Sequence, residues 1–321
     1  MRRQLAVLLA AVLGAGAAHG ADERQSREDA WWTGPLLAPS AAALPHGHVL
    51  LEPYLFDVVS TGAVDASGAH HSVPADQEYG SLTYLLYGLT DRVTLGLIPR
   101  FFYVAAAGGA PNSSQVLPGD LTLQVGYALT HYTDGSAVPA LALVLDETLP
   151  TGRYDSLGRA SDGVGAGAYA TGLSLYSQDY FWMPNGRILR GRLDLTYTIS
   201  STVALTDRSV YGTAAGFRGH AYPGDAFSAD AAAEYSLTRS WVLALDVVYQ
   251  HNASTQVRGS VAPGAPALQS ESGSSWALIF APAIEYSWSA RAGVIFGVRV
   301  IDIGRNITTT VTPAVAINLV F

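Results

Sequence analysis

The C-terminal stretch alternates without interruption. Val311, Pro313, Val315, Ile317, Leu319 and Phe321 fall on one face, while Thr310, Thr312, Ala314, Ala316 and Asn318 fall on the other. A period of two puts successive side chains on opposite sides of a β-strand, so this strand is apolar on one side only. The same pattern recurs upstream. Val294, Phe296, Val298 and Val300 oppose Gly297 and Arg299, and Trp276, Leu278, Phe280, Ile284 and Tyr286 oppose Ala277, Ala281, Ala283 and Glu285. Leu243, Leu245, Val247 and Tyr249 oppose Ala244, Asp246 and Gln250. Phe227, Ala229, Ala231, Ala233 and Tyr235 oppose Asp230, Ala232 and Glu234. Further back, Leu193, Leu195, Tyr197 and Ile199 face away from Arg190, Arg192, Asp194, Thr196 and Thr198, and Leu121 to Leu129 alternates likewise.

Segments around Leu50 to Val58, Glu78 to Leu86, Val93 to Phe102, Val138 to Leu145 and Gly165 to Leu175 also read as strands. The total is roughly twelve, an even number as in single-chain bacterial barrels. A soluble β-sandwich alternates too, but its solvent faces would carry long side chains such as Lys, and those are missing; the polar faces here carry charges beside alanine and glycine. The connections also alternate in length. Short turns at 90–92, 133–135, 184–186, 238–240 and 289–291 separate longer Gly/Pro/Ser/Ala-rich stretches at about 61–76, 106–118, 150–163, 206–224 and 254–273. Short turns on one side and long loops on the other are the periplasmic and extracellular connections of an outer-membrane barrel. The hairpin at Gly304-Arg305-Asn306 is an exception, short where a long loop is due. The expected fold is therefore all-β, a transmembrane antiparallel up-and-down β-barrel of about 12 strands. Aromatic residues at strand ends, among them Tyr84, Tyr87, Trp241, Tyr286 and Trp288, suit the girdles at the two membrane interfaces.

The N-terminus carries Arg2 and Arg3, an apolar run from Leu5 to Leu13 and small residues around Ala18-His19-Gly20, the three-part layout of a secretory signal peptide. The run is about half the ~20 residues a spanning helix needs. Expected units are thus a signal peptide over 1–20, an N-terminal periplasmic or plug segment over 21–47, and an outer-membrane β-barrel over 48–321. Trp31-Trp32 would expose much apolar area in a free tail, which favours a segment packed on or inside the barrel. Zero cysteines excludes a lipid-bearing cysteine, thiolate metal sites and thiol nucleophiles. A net charge of −8 without a basic cluster argues against nucleic acid as a partner.

Several stretches resemble the bacterial outer-membrane family named for the meta-pathway of phenol degradation: Thr33-Gly34-Pro35-Leu36-Leu37-Ala38-Pro39, Leu44-Pro45-His46-Gly47-His48, Glu52-Pro53-Tyr54-Leu55, Gly119-Asp120-Leu121 and Leu149-Pro150-Thr151-Gly152-Arg153. The resemblance spans nearly the whole mature chain. It implies an outer-membrane barrel and, by association with breakdown of aromatic compounds, passage of small hydrophobic molecules. It supplies no catalytic residues.

The sequence has no Gly-x-Ser-x-Gly elbow and no His-Glu-x-x-His zinc pattern. Gly163-Val164-Gly165-Ala166-Gly167 opens a strand rather than a phosphate-binding helix. His70-His71, with Asp65 and Asp76 nearby, lacks a third ligand at a spacing that fixes metal geometry. No catalytic, cofactor-binding or metal residue is assigned, and no cofactor is expected.

What remains is the inward charge set. Strand phase puts Glu52, Arg100, Asp146, Arg190, Arg192, Asp194, Asp230, Glu234, Asp246, Glu285 and Arg299 in the lumen, because Arg facing lipid at the midplane costs about 2–4 kcal/mol. Two readings stand side by side: an ion-pair network that closes the barrel, or a polar lining along a solute path. The functional expectation is an outer-membrane channel, not an enzyme, for passive uptake of small, hydrophobic or aromatic solutes. Its rivals are a barrel enzyme and a structural or surface barrel without transport. Expected partners are outer-membrane lipid and lipopolysaccharide, the small-molecule solute, and the barrel-assembly machinery of a Gram-negative cell, which reads a C-terminal strand ending at Phe321.

Overall fold

The computed structural model describes residues 24–261 and 266–321; the expected signal peptide lies outside them. Twelve strands build the wall: β1 Val49–Val64, β2 Gln77–Gly88, β3 Val93–Ile98 continued by Arg100–Ala105, β4 Leu121–Thr130, β5 Ala140–Leu149, β6 Ala170–Trp182, β7 Ile188–Ser200, β8 Ala226–Ser236, β9 Trp241–Asn252, β10 Ser275–Ser289, β11 Ala292–Arg305 and β12 Ile307–Val320. Each pairs antiparallel with the next. β12 returns to β1, from Leu50 opposite Val320 to Val64 opposite Ile307, and so closes the sheet into a barrel without a free edge. This is the fold the alternation predicts.

The two faces separate as the phase requires. On β7, Ile199 is 56% exposed on the outside and Arg192 only 7% exposed within. The outward set is apolar on nearly every strand. Asp57 on β1 and Glu147 on β5 depart from this, each sharing the outward parity of its neighbours; Asp57 accepts from Gln77 Nε2 at 2.8 Å and Glu147 from Thr171 Oγ1 at 2.6 Å. Both lie toward the long-loop end of their strands.

Several boundaries differ from the sequence reading. β1 runs six residues past Val58 to Val64, into the stretch read as loop, and the first half of that stretch folds back so that Ala63 pairs with His71. β5 begins at Ala140, after the turn at 133–135, and β6 only at Ala170, because 150–168 form a loop before entering the wall. The stretches 206–224 and 254–273, read as loops, contribute to a second sheet of Val203–Thr206, Arg218–Tyr222, Gln256–Ser260 and Leu268–Glu271. Its inner side buries Val203, Leu205, Phe217, Ala221 and Val257 against Ala168. Each piece is too short to show a period, and the central pairing, Arg218–Tyr222 with Gln256–Ser260, joins two separate loops.

Two motifs of the family resemblance fix the loop base. The Asp120 carboxylate accepts the Gly152 N–H at 2.8 Å and the Ala166 N–H at 2.7 Å. Thr151 Oγ1 donates to Gly119 O and accepts from Leu121 N–H, both within 3.0 Å. The backbones of Gly152 and Gly165 meet there so closely that a Cβ on Gly165 would lie 2.5 Å from the Gly152 carbonyl oxygen.

Candidate functional site

The lumen is organised in rungs, because the strand register stacks inward side chains of neighbouring strands at equal height. The lowest of three rungs pairs Arg190 on β7 with Glu234 on β8. The next sets Arg192, Ala232, Asp246 and Ala281 level across β7 to β10, and the third sets Asp194, Asp230, Val248 and Ile279 level. Arg190 grips Glu234 through two nitrogens, and Arg192 Nε lies 3.1 Å from Glu234 Oε2. The Nε contact is an ion pair whose angle does not make a hydrogen bond. One fully buried carboxylate therefore sits between two guanidiniums. Such a pair is costly to desolvate, and removing one partner strands a buried charge.

The chain ahead of β1 threads this space. Gln25 N–H donates to Gly186 O and Trp31 N–H to Arg239 O, both at short turns. Within the lumen, the Thr33 and Gly34 N–H groups donate to Glu285 Oε2, Leu36 N–H to Asp246 Oδ2 and Ala38 N–H to Asp246 Oδ1, all between 2.7 and 3.1 Å. Arg192 Nη1 donates back to Ala38 O at 2.7 Å. The segment then turns down: Ala41 packs on Ala140, Ala142, Val144 and Tyr176, Leu44 N–H donates to Thr94 Oγ1, and His46 N–H donates to Asp91. Gly47 N–H donates to Gly88 O, and a Cβ on Gly88 would sit 2.1 Å from the Pro45 carbonyl oxygen, so glycine is required where the segment passes β2. The path is a U that enters and leaves at the short-turn end. Trp32 stacks under the Arg190 guanidinium, 4.5 Å from ring centre to Cζ, which also covers half of the exposed tryptophan pair.

Above the apex of the U lies a chamber of about 280 Å³, floored by Leu37 and Pro39 and walled by Tyr176, Asp194, Asp230, Val248, Ile279 and Arg299 among others. The barrel interior is wide enough for this, since twelve strands enclose more space than side chains alone fill.

Every member of the sequence-derived charge set points inward. Arg190, Arg192, Glu234, Asp246 and Glu285 gather around the threaded segment, and Glu52 joins them through Asn318 Nδ2 at 3.2 Å, whose amide also donates to Thr33 O. Asp194, Asp230 and Arg299 face the chamber. Asp146 stands across the barrel, accepting from Gln124 at 2.9 Å, and Arg100 on β3 lies on that side too. The sequence reading gave Tyr84 to an interfacial girdle and missed Tyr54 and Tyr176; all three share the inward parity of their strands, and Tyr84 packs in the lumen edge to face on Tyr54 at 6.0 Å. Their parity relative to Glu52 and Gln178 is the signal that marks them.

At the long-loop end, His71 donates to Asp65 at 2.6 Å and Ser67 Oγ to the same carboxylate at 2.7 Å. A nucleophile would need Ser67 to bond the imidazole, and here both bond the acid. Four donors, led by the Ser67 hydroxyl and His71, hold the Asp65 carboxyl well below the usual range. Asp162, which accepts Ser114 N–H at 2.7 Å, is lowered chiefly by that bond. Among the described residues no group of three His, Asp or Glu side chains is placed to hold a metal ion.

A closed twelve-stranded barrel, apolar outside and charged within, with a chain segment through its lumen, defines the class: the fold is that of an outer-membrane β-barrel. The crystal structure of the COG4313 outer membrane channel from Pseudomonas putida F1 shares it, with a TM-score of 0.66 at 16% identity over 88% of this chain and 98% of that one. The β domain of the Bordetella autotransporter BrkA overlaps less, with a TM-score of 0.44 at 12% identity over 86% and 100% of the two chains. The Pseudomonas putida toluene transporter TodX gives 0.41 at 11% identity over 91% and 94%. No curated protein matches the chain. The family model described as "Putative MetA-pathway of phenol degradation" matches residues 58–315, and the chain belongs to that family.

Proposed function

We propose that the protein is a passive outer-membrane channel for small hydrophobic or aromatic solutes, in which residues 24–47 act as a lumenal plug. The short-turn end then faces the periplasm and the second sheet faces outside. The observation that carries the reading is the chamber above Leu37 and Pro39: a space of about 280 Å³ with both apolar and charged walls, inside a barrel whose outer face is apolar. Family membership supports the solute class. The signal peptide over 1–20, the Gram-negative outer membrane with its lipopolysaccharide, and recognition of the strand ending at Phe321 by the assembly machinery belong to the same proposal. No reaction is assigned to the lumen: Asp246 and Glu285 bind the plug's N–H groups, and Glu234 is paired with Arg190 and Arg192.

The segment held by Asp246 and Glu285 narrows the path, so the plug must shift or be bypassed for passage. Planar-bilayer conductance of the purified full chain, beside a variant lacking residues 24–44, tests this. Larger and steadier current steps in the deletion variant are expected; equal conductance in both would remove the plug from the reading.

A further inference from the structure

The third rung of the lumen holds two carboxylates directly opposite one another, Asp194 on β7 and Asp230 on β8. Opposed residues of an antiparallel pair stand about 4.5–5.5 Å apart, and like charges at that distance destabilise the sheet. Their surroundings do not answer the charge. Asp194 is 4% exposed, yet neither of its oxygens accepts a hydrogen bond; the backbone N–H of Ser177, which comes near, falls short of hydrogen-bond geometry. Asp230 is 9% exposed and its Oδ1 is likewise without a partner. The cation next along β7, Arg192, is engaged with Glu234 and Ala38 O. One rung lower, by contrast, each Asp246 oxygen takes a plug N–H.

Both unpartnered carboxylates open on the chamber, whose wall also carries the apolar side chains of Leu37, Val248 and Ile279 and the hydroxyls of Thr196 and Ser228. We propose that the chamber is a binding site for a small organic ammonium ion, its N–H groups shared between Asp194 and Asp230 and its carbon body against Leu37, Val248 and Ile279. An ammonium supplies the missing positive charge and several donors at once, and two carboxylates at one height let a single nitrogen reach both. Arg299 faces the same space, one guanidinium for two carboxylates. The inference deepens the channel reading, since it names a solute class that the lumen retains, and it rests on that reading only in requiring solute to reach the chamber.

Calorimetric titration of the purified full chain in detergent tests it, with benzylamine, toluene and benzoate as probes of one ring bearing a positive, no or negative charge. At neutral pH benzylamine is protonated. Saturable benzylammonium binding is expected, weakened about tenfold or more in the isosteric pair Asp194→Asn/Asp230→Asn. Asp230→Asn alone should fall between, and the gel-mobility shift on heating shows whether each variant is folded. Absence of saturable binding to the wild type, benzoate bound as tightly as benzylammonium, or unchanged affinity in the folded double variant would overturn the proposal. Failure of any of these with toluene uptake intact removes the ammonium site alone, whereas loss of uptake in the wild type would remove the channel reading.

Discussion

Leu36 donates its backbone N–H to Asp246 Oδ2 at 3.0 Å, joining the apex of the N-terminal segment to the middle of the barrel wall. Ala38 N–H takes the other oxygen of the same carboxylate, also at 3.0 Å. A strand side chain thus holds an irregular segment that has no sheet of its own to pair with.

Asp246→Ala removes both acceptors at once. Hydrogen bonds to a charged group are worth about 1.5–3 kcal/mol each, and the two N–H groups left behind are lumenal. The expected outcome is a barrel that still folds but whose residues 31–44 are cut faster by thermolysin, which cleaves beside apolar residues such as Leu36 and Leu37, with Asp246→Asn intermediate. Equal cutting rates in all three proteins would show that the wall carboxylate does not hold the segment.

The outward and inward faces of the β4–β5 wall make opposite demands. Leu145 is 48% exposed on the outer face, while Gln124 beside Asp146 faces the lumen. Leu145→Arg should lower the stability of the refolded barrel in lipid by about 2–4 kcal/mol. Gln124→Arg, which places its charge beside the Asp146 carboxylate, should cost far less. Denaturant unfolding in lipid vesicles measures both.

Asp120 anchors the loop that carries Thr151 and Gly152. Asp120→Ala frees the Gly152 and Ala166 N–H groups and should raise amide exchange across 150–168 while β4 and β5 keep their protection. The expected local loss is about 1–3 kcal/mol, the cost of leaving such groups unpaired. Hydrogen-exchange mass spectrometry reads it directly.

The Asp65 turn should respond to acid in a definite direction. Its carboxyl is depressed below the ordinary value of 3.8, first by the Ser67 hydroxyl, then by His71 and the Ala69 N–H. A depressed carboxylate adds stability above its unfolded value and loses it as pH falls through the folded one. Protection of the Ser67 and Ala69 amides should therefore hold from neutral pH down to about 4 and fall below it; Asp65→Asn should remove the pH dependence.

Much of this was legible in the sequence for a local reason. Leu193, Leu195, Tyr197 and Ile199 alternate with Arg190, Arg192 and Asp194 over one strand, and the pleat turns that alternation into outside and inside. Which charges meet was not legible: that Arg190 stands beside Glu234 and Asp194 beside Asp230 depends on the register of two strands joined by a long connection. The path of residues 24–47 was hidden for a different reason, since Leu36 and Ala38 bind through backbone N–H groups, which any residue except proline offers. The second sheet escaped because Val203–Thr206 and Gln256–Ser260 are too short to display a period and bury their apolar side against Ala168 of a different loop.

Initial uptake of radiolabelled toluene, supplied in dilute solution to cells with an intact lipopolysaccharide leaflet, tests the central claim most directly. Cells carrying the protein should take up toluene faster than cells lacking it, with faster uptake still for the variant without residues 24–44. Equal rates with and without the folded, membrane-inserted protein would contradict a channel for such solutes.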